Sequence, residues 1–561
     1  MHPIFQRHAA LACLGLFTLA PVAQAFTFDN GTISGNFDSS IGTGFGVRTK
    51  SPSPSLILQG NSGGPAGQAS TAAGVGDQGD LNYGKGDAFT QYLKGNHELL
   101  LKLPERFSFM ARANWVRDFA ATRTTGFESV ATSNPGFPFN GDSYSRGLTG
   151  EARSDLRFKG RILDFWLSKT IDVGDQQARI RVGQQVINWG ESLFGTGGIN
   201  ATNPADILRL SQPGTQIKEG ILPTPAISVA SGLGNGLNIE AYLQTAWRKN
   251  YFPPTGSYWS TTNGLGKGEG AYGNLEVKAR NGGQWGLALK YRPKGTSLDL
   301  GLYALNYHDK APQVELVTAE VAPGVVAPVE SRLRYIEDRK LLGISASFPV
   351  GDWAVGTELS YRPKEAVFIN PATSFCASQG GRCWVDEKKL QWHLTGTLSM
   401  TPSNAGGLLD VLRADGATLL AEAVVIHFPG LKQRYGGDPI SAAGLGWGNE
   451  TDASAAAVAR GTKTSAGISA DFSWTYDGSV IPGWQLTPEV FVSWAVAGRT
   501  PTLAGNYLQG AKSANFILSL SRNPATWQFG LNYAKYWRGK TVLDQTLADR
   551  DFIGAYATFN F

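Results

Sequence analysis

Residues 181–225 read RVGQQVINWGESLFGTGGINATNPADILRLSQPGTQIKEGILPTP. The stretch opens as a strand, with Ile180 and Val182 alternating against Arg179 and Arg181 at a period of two. After Trp189 the alternation stops, and for about 35 residues no window alternates long enough to cross a bilayer as a strand. It resumes at Ile227-Ser228-Val229-Ala230. The residues between are rich in Gly, Asn and Pro, which favour irregular backbone, and include Glu191, Asp206, Arg209, Lys218 and Glu219. An insert this long is a functional loop or a disordered one. Its apolar residues (Ile199, Ile207, Leu208, Leu210, Ile221, Leu222) argue for order. The expectation is a loop folded into or over a pore, weighed against a plain surface loop.

The rest of the chain explains why a pore is expected. Segments flanking the stretch alternate in the same way. Phe107, Phe109, Ala111, Ala113 and Trp115 share one face, with Ser108, Arg112, Asn114 and Asp118 on the other. Apolar faces recur at Leu237, Ile239, Ala241, Leu243 and Trp247, at Trp285, Leu287, Leu289 and Tyr291, and at Trp353, Val355, Leu359 and Tyr361. They recur again at Leu390, Trp392, Leu394, Leu398 and Met400, at Ala466 to Trp474, and at Trp527 to Trp537. Opposite them stand Glu240, Lys290, Arg292, Glu358, Gln391, His393, Asp471, Gln528 and Asn532, which a water-filled lumen accepts and a sealed core does not. Short turns (174–175, 234–236, 294–295, 351–352, 523–524) alternate with long loops (120–150, 250–282, 309–335, 363–387, 429–462). Short turns at one end and long loops at the other mark the periplasmic and extracellular sides of an outer-membrane barrel. The fold expected is all-β: one transmembrane antiparallel β-barrel of about 18 strands, with 16 as the alternative. A short periplasmic helix is expected at 408–412.

Composition agrees. The chain has 70 Gly, 15 Trp, 18 Tyr and 28 Phe, the mixture of small and aromatic residues that barrel walls and interfacial girdles use. A mean hydropathy of −0.17 suits alternating lipid- and lumen-facing residues. No stretch of about 20 apolar residues offers a transmembrane helix after the N-terminal segment. That segment, residues 1–25, reads as a signal peptide, with Arg7, an apolar run from Ala9 to Ala20 and a small-x-small site at Ala23–Ala25. The barrel is then expected over 26–561. The net charge of +5 gives no warrant for nucleic-acid binding. Cys376 and Cys383 frame FCASQGGRCW, which in an oxidising compartment reads as a local disulfide. A metal site would need more ligands than His393 adds, and no cofactor is expected. The final strand alternates Ile553, Ala555, Ala557, Phe559 and Phe561. With Tyr556 it is expected to carry the signal read by the barrel assembly machinery.

Trp189-Gly190-Glu191-Ser192, Gly197-Gly198-Ile199-Asn200, Asn203-Pro204-x-Asp206 and Lys218-Glu219-x-Ile221-Leu222-Pro223 resemble a large proteobacterial outer-membrane family catalogued as a domain of unknown function. The resemblance runs from Gly79-Asp80 through Pro254-x-Gly256 to Phe561. Gln184 departs from it, since the family often has Arg there. The resemblance implies a barrel in a transport context. Members are often encoded beside RND-type (MMPL-like) exporters and a LolB-like periplasmic partner, in clusters for hydrophobic or aromatic compounds.

Other motifs are weaker. Gly60-Asn61-Ser62-Gly63-Gly64 matches G-x-S-x-G but lies in a Gly/Ser/Ala-rich loop rather than on a strand-to-helix elbow. Residues 79–85 nearly match a phosphate loop, with Gly86 where the Ser or Thr should be. Asp77, Asp80 and Asp87 lack the spacing of a calcium loop. His97, His308, His393 and His427 stand singly on different strands, although a barrel could bring one to a nucleophile. Arg112, Arg179, Arg181, Arg248 and Arg292 are expected to line a selectivity zone or to pair with Asp118, Glu240 and Glu358. The function expected is an outer-membrane channel, not an enzyme. It would pass small hydrophobic or amphipathic molecules and work with an RND-type export system. An outer-membrane hydrolase and a structural or adhesive surface protein are the alternatives.

Overall fold

A computed structural model of the chain describes residues 26–53, 56, 78–124, 147–369, 374–432, 434–436, 438–439, 461–522, 525–540 and 544–561. The expected signal segment, the Gly60–Gly64 motif, Asp77 and the turn at 523–524 lie outside the described residues.

Alternating segments become strands because each has one face that water rejects and one that lipid rejects. Eighteen of them form a ring. They are β1 (Ser34–Arg48), β2 (Ala88–Leu103), β3 (Phe107–Asp118), β4 (Phe158–Val173), β5 (Gln176–Gln185), β6 (Thr224–Gly234), β7 (Leu237–Gln244), β8 (Gln284–Tyr291) and β9 (Asp299–Tyr307). β10 (Arg339–Val350), β11 (Trp353–Phe368), β12 (Trp384–Met400), β13 (Gly416–His427), β14 (Thr464–Ile481), β15 (Trp484–Ala497), β16 (Ala511–Arg522), β17 (Trp527–Arg538) and β18 (Phe552–Asn560) complete it. Each strand pairs antiparallel with its neighbours in sequence. β18 closes on β1 from Ser40↔Asn560 to Arg48↔Phe552. A short segment, Phe26–Asp29, pairs with the start of β1 below this seam. The strand count is 18, and the 16-strand alternative falls.

The outward face is apolar. Ile162, Leu302, Leu342, Ile344 and Leu531 are each more than half exposed. A water-facing surface seldom carries so continuous an apolar belt, whereas a bilayer requires one. Among the described residues no helix is long and apolar enough to cross a membrane; the strands are the membrane-spanning elements. The protein is an outer-membrane β-barrel.

The connections sort by end as expected. β2 and β3 join through Pro104–Arg106, β4 and β5 through 174–175, and β10 and β11 through 351–352. The expected helix is longer than 408–412, spanning Pro402–Leu412 with Asn404 accepting from Thr401 N at 2.8 Å. Two expectations need correction at the extracellular end. Residues 309–335 are not irregular: Gln313–Ala322 and Val325–Arg334 form a hairpin that also pairs with Asn274–Val277 outside the ring. Trp247 is not on the apolar face of β7, which ends at Gln244; its ring packs on Tyr335, centroids 4.7 Å apart. Cys376 and Cys383 are disulfide-bonded, Cα atoms 4.7 Å apart, and pack with Val314, Leu333 and Phe368. The bridge therefore holds its loop against that hairpin. Asp80 is buried in an ion cluster with Arg48, Asp549 and Arg550, so the phosphate-loop look-alike serves as a clasp between loops.

Candidate functional site: the lumen loop and its passage

After Gln185 the chain leaves the wall and enters the lumen, returning to it at Thr224. Backbone that leaves a ladder must find other hydrogen-bond partners. Asparagines and acids of the loop supply them. Asn203 Oδ1 accepts from Ile187 N at 3.1 Å, while its amide donates to Ile187 O. Asn200 Oδ1 accepts from Trp189 N at 2.9 Å and Gly190 N at 3.1 Å. Asp206 caps the turn Ile207–Leu210, accepting from Arg209 N at 2.8 Å. Glu219 caps Ile217–Gly220 through Gln216 N at 3.2 Å. Pro204 is buried, and its carbonyl accepts from Leu222 N at 2.9 Å, bracing the two limbs of the loop together.

The first limb, 187–199, lies along the wall from β7 to β15. Ile187, Trp189 and Ile199 share an apolar cluster with Tyr242, Tyr303, Leu305 and Leu341. Trp189 Nε1 donates to Glu240 at 2.7 Å, and Tyr303 donates to Trp189 O at 3.1 Å. Two carboxylates of the wall then hold loop amides. Glu358 on β11 accepts from Glu191 N at 2.7 Å and Ile199 N at 3.0 Å. Glu422 on β13 accepts from Phe194 N at 2.5 Å and Gly195 N at 2.6 Å. His393 stands between them, its Nδ1 2.7 Å from Glu422 and its Nε2 3.9 Å from Glu358. Gln391 Nε2 donates to Thr196 O at 2.8 Å, Arg362 donates to Gly198 O at 3.0 Å, and Phe194 stacks edgewise on Phe491. Gly198 has φ 51°, and a Cβ there would collide with Glu358, so the wall approaches the loop backbone directly. Glu191 is half-buried, and burial followed by the nearby Glu358 carboxylate raises its pKa above the usual carboxylate range.

The second limb crosses back toward the seam. Asp206 pairs with Arg161 of β4. Tyr92 donates to Pro213 O at 2.8 Å and Lys94 to Gly214 O at 2.7 Å, both from β2. Lys94 also pairs with Glu219 at 2.9 Å. Between residues 210–216 and the wall of β15–β18, β1 and β2 there remains a cavity of about 470 Å³. Its lining mixes the rings of Phe491, Tyr536, Phe552 and Tyr556 with the amides and hydroxyls of Asn96, Ser513, Asn515, Gln528 and Asn532, and with Glu489.

The candidate residues thus separate. Trp189, Gly190, Glu191, Gly197, Gly198, Asn200, Asn203, Pro204, Asp206 and Glu219 take part in folding or docking the loop. Arg209 is buried and donates to Gln212 at 2.8 Å. Ser192 is half-buried and Lys218 exposed. Of the expected lumen charges, Glu240 pairs with Lys290 at 2.9 Å, and Arg112 pairs with Asp164 rather than with Asp118. Asp118 instead accepts from Thr90 and from the amides of Ala120 and Ala121. Glu358 accepts loop amides, and among the described residues no arginine pairs with it. Arg181 lies 4.0 Å from the Trp166 ring and Arg179 lines the lumen near the periplasmic turns. Arg292 is exposed at a periplasmic turn, paired with Asp299, and Arg248 sits in the loop after β7. Tyr556, expected with Phe559 and Phe561 in the assembly signal, faces the lumen against Gly214, while Phe559 and Phe561 stack at 5.6 Å. Glu422, Lys94 and Tyr92 were not singled out in sequence. A lone Glu in GATLLAEAVVIH was the available signal for Glu422.

The histidines have local partners. His97 is 3.0 Å from Ser39 Oγ and accepts from Trp115 Nε1 at 3.2 Å. His308 contacts Gly282 O and Asp338 N, and His427 contacts Thr464. Among the described residues, no contact recorded for these histidines joins a hydroxyl and a carboxylate on one ring.

Similarity to solved structures is distant. OccAB1 of Acinetobacter baumannii superposes with a TM-score of 0.41 at 10% identity, over 96% of this chain and 98% of that one. OpdK of Pseudomonas aeruginosa, crystallised with vanillate, gives 0.41 at 11% identity, over 94% and 98%. No protein of curated function matches the sequence. The sequence matches a family pattern from residue 6 to residue 561, and on that match the chain is a member of the family described as protein of unknown function (DUF1302).

Proposed function

We propose that the protein is an outer-membrane channel for small amphipathic or hydrophobic organic molecules, working with an RND-type exporter and its periplasmic partner. The observation that carries the channel reading is the cavity of about 470 Å³ left inside the ring between the docked loop and the wall. A surface or adhesive role does not call for a loop anchored inside the ring by buried carboxylates. The aromatic rings of the cavity suit an apolar body, and its amides and hydroxyls suit a polar substituent. The genomic habit of the family it resembles supports the exporter partnership.

The test is permeation through vesicles holding the purified protein. Sodium 4-hydroxybenzoate is expected to enter faster than sodium gluconate, and Tyr556→Trp to slow the aromatic solute. Rates equal to those of protein-free vesicles would overturn the channel. Faster gluconate would overturn the amphipathic cargo and leave the channel standing. Crosslinking to the exporter's periplasmic partner in cells tests the partnership separately.

A further inference from the structure

The ladder of the wall is interrupted beside β4. This strand pairs with β3 as far as Phe158↔Arg117, but its pairing with β5 begins only at Phe165↔Gln184. Because β5 gives way to the lumen loop after Gln185, residues 158–164 keep an edge beside which no strand lies among the described residues. A free edge facing lipid is costly, since lipid offers no hydrogen bond. The Gln184 side chain covers part of it, donating to Ile162 O at 2.6 Å and to Leu163 O. Arg248 in turn holds the Gln184 carbonyl at 2.7 Å. The outward side chains Phe158, Ile162 and Phe165 are apolar and exposed, which places this edge at the level of the lipid belt.

A cavity of about 780 Å³ opens at the edge. It takes Ile162 from the outer face of β4 and Arg161 from the inner face, so it lies in the plane of the wall. Leu163, Leu222 and Trp247 give it an apolar floor. Its rim is basic: Lys159, Arg161, Arg248, Lys249 and Lys278. Lys159 pairs with Asp155, Arg161 with Asp206 and Lys249 with Glu276. Arg248 donates instead to the neutral oxygens of Gln184 and Pro223, at 2.7 and 2.9 Å. Lys278 is exposed. The rim therefore keeps positive charge beyond its internal ion pairs.

We propose that this notch binds an amphiphile with an anionic head, carboxylate or phosphate. The tail lies against Ile162 and Leu163 and the head at Arg248 and Lys278. An apolar floor under uncompensated cations at the height of the outer leaflet is complementary to that chemistry and to neither a neutral lipid nor a free sugar. The site depends on the barrel's place in the membrane and not on the channel reading, because binding needs no transport.

The purified full-length protein in dodecyl maltoside is titrated with dansyl-undecanoate and with the uncharged dansyl-undecanol. The acid is expected to bind at least about tenfold more tightly than the alcohol, and Arg248→Gln with Lys278→Gln to remove that margin. Ile162→Trp fills the notch from its outer side, keeps every charge and is expected to weaken both probes. Equal affinity for the two probes, unchanged binding of the acid in the double variant, or unchanged binding in Ile162→Trp overturns the proposal. Prior addition of diphosphorylated lipid A separates the sources. Competition identifies an outer-leaflet lipid as the occupant, and its absence a carboxylated solute.

Discussion

Glu358 accepts two amides of the lumen loop while lying fully buried beside His393. Removing it leaves Glu191 N and Ile199 N without acceptors, at about 1–3 kcal/mol for each orphaned buried group. Glu358→Ala is therefore expected to speed hydrogen exchange across 190–199 without changing exchange in the barrel strands. Exchange unchanged within about twofold would show that the carboxylate is not what holds the loop. The sequence pointed to Glu358 as a lumen residue, because it is polar on a strand whose other face is apolar. It did not show which wall residue meets which loop amide. Glu358 and Glu422 lie more than 150 positions from the amides they hold, and those contacts follow from where a closed ring places distant strands.

At the scale of elements, the lumen loop is anchored on two sides, at β11–β13 by carboxylates and at β2 by Tyr92 and Lys94. Deleting Phe194–Pro213 removes most of what lies between. It is expected to raise single-channel conductance in planar bilayers and to leave the protein membrane-inserted and heat-modifiable. Unchanged conductance would put the loop outside the permeation path. The clasp at the extracellular end is expected to respond to pH. Burial, and then the nearby Asp80 carboxylate, push Asp549 up to about 6, against about 3.9 for an ordinary aspartate. A folded-state value above the unfolded one means a stabilising contribution that is full below about 4 and lost as pH rises through about 6. Amides 549–552 are thus expected to be better protected at pH 5 than at pH 7.5, after correction for chemical exchange, and Asp549→Asn to remove the difference. Loop limits were legible to within a few residues where alternation stopped: the break expected after Trp189 falls after Gln185, and the wall resumes at Thr224. The hairpin within 309–335 was not, because its EVAPGVVAPVE stretch has no clean polar face and its partner strand, Asn274–Val277, lies 57 positions upstream of Ser331.

For the molecule as a whole, orientation is testable with epitope tags. A tag at Gly380, beside the disulfide, is expected to be detected on intact cells, and one at Gly174 only after permeabilisation; the reverse would invert the barrel. Cys376 and Cys383 are expected to label with a thiol probe only after reduction. The barrel itself was readable from the sequence because every strand repeats the same two-faced pattern. The count of about 18 came with it, because each strand is a separate alternating segment; the notch beside β4 and the route of the loop did not, since they depend on register around the ring. The lumen loop also bears on how the ring closes. Pro213 and Gly214 sit against Gly554 and Tyr556 of the last strand and accept from Tyr92 and Lys94 of β2, on either side of the seam where β18 meets β1. The loop is thus wedged where the two ends of the sheet join. Gripping β2 on one side and packing on β18 on the other, it ties its own docking to the joining of those ends. Loop docking is therefore expected to assist closure, and Tyr92→Phe with Lys94→Ala to slow the appearance of the heat-modifiable form even where the completed barrels are equally stable.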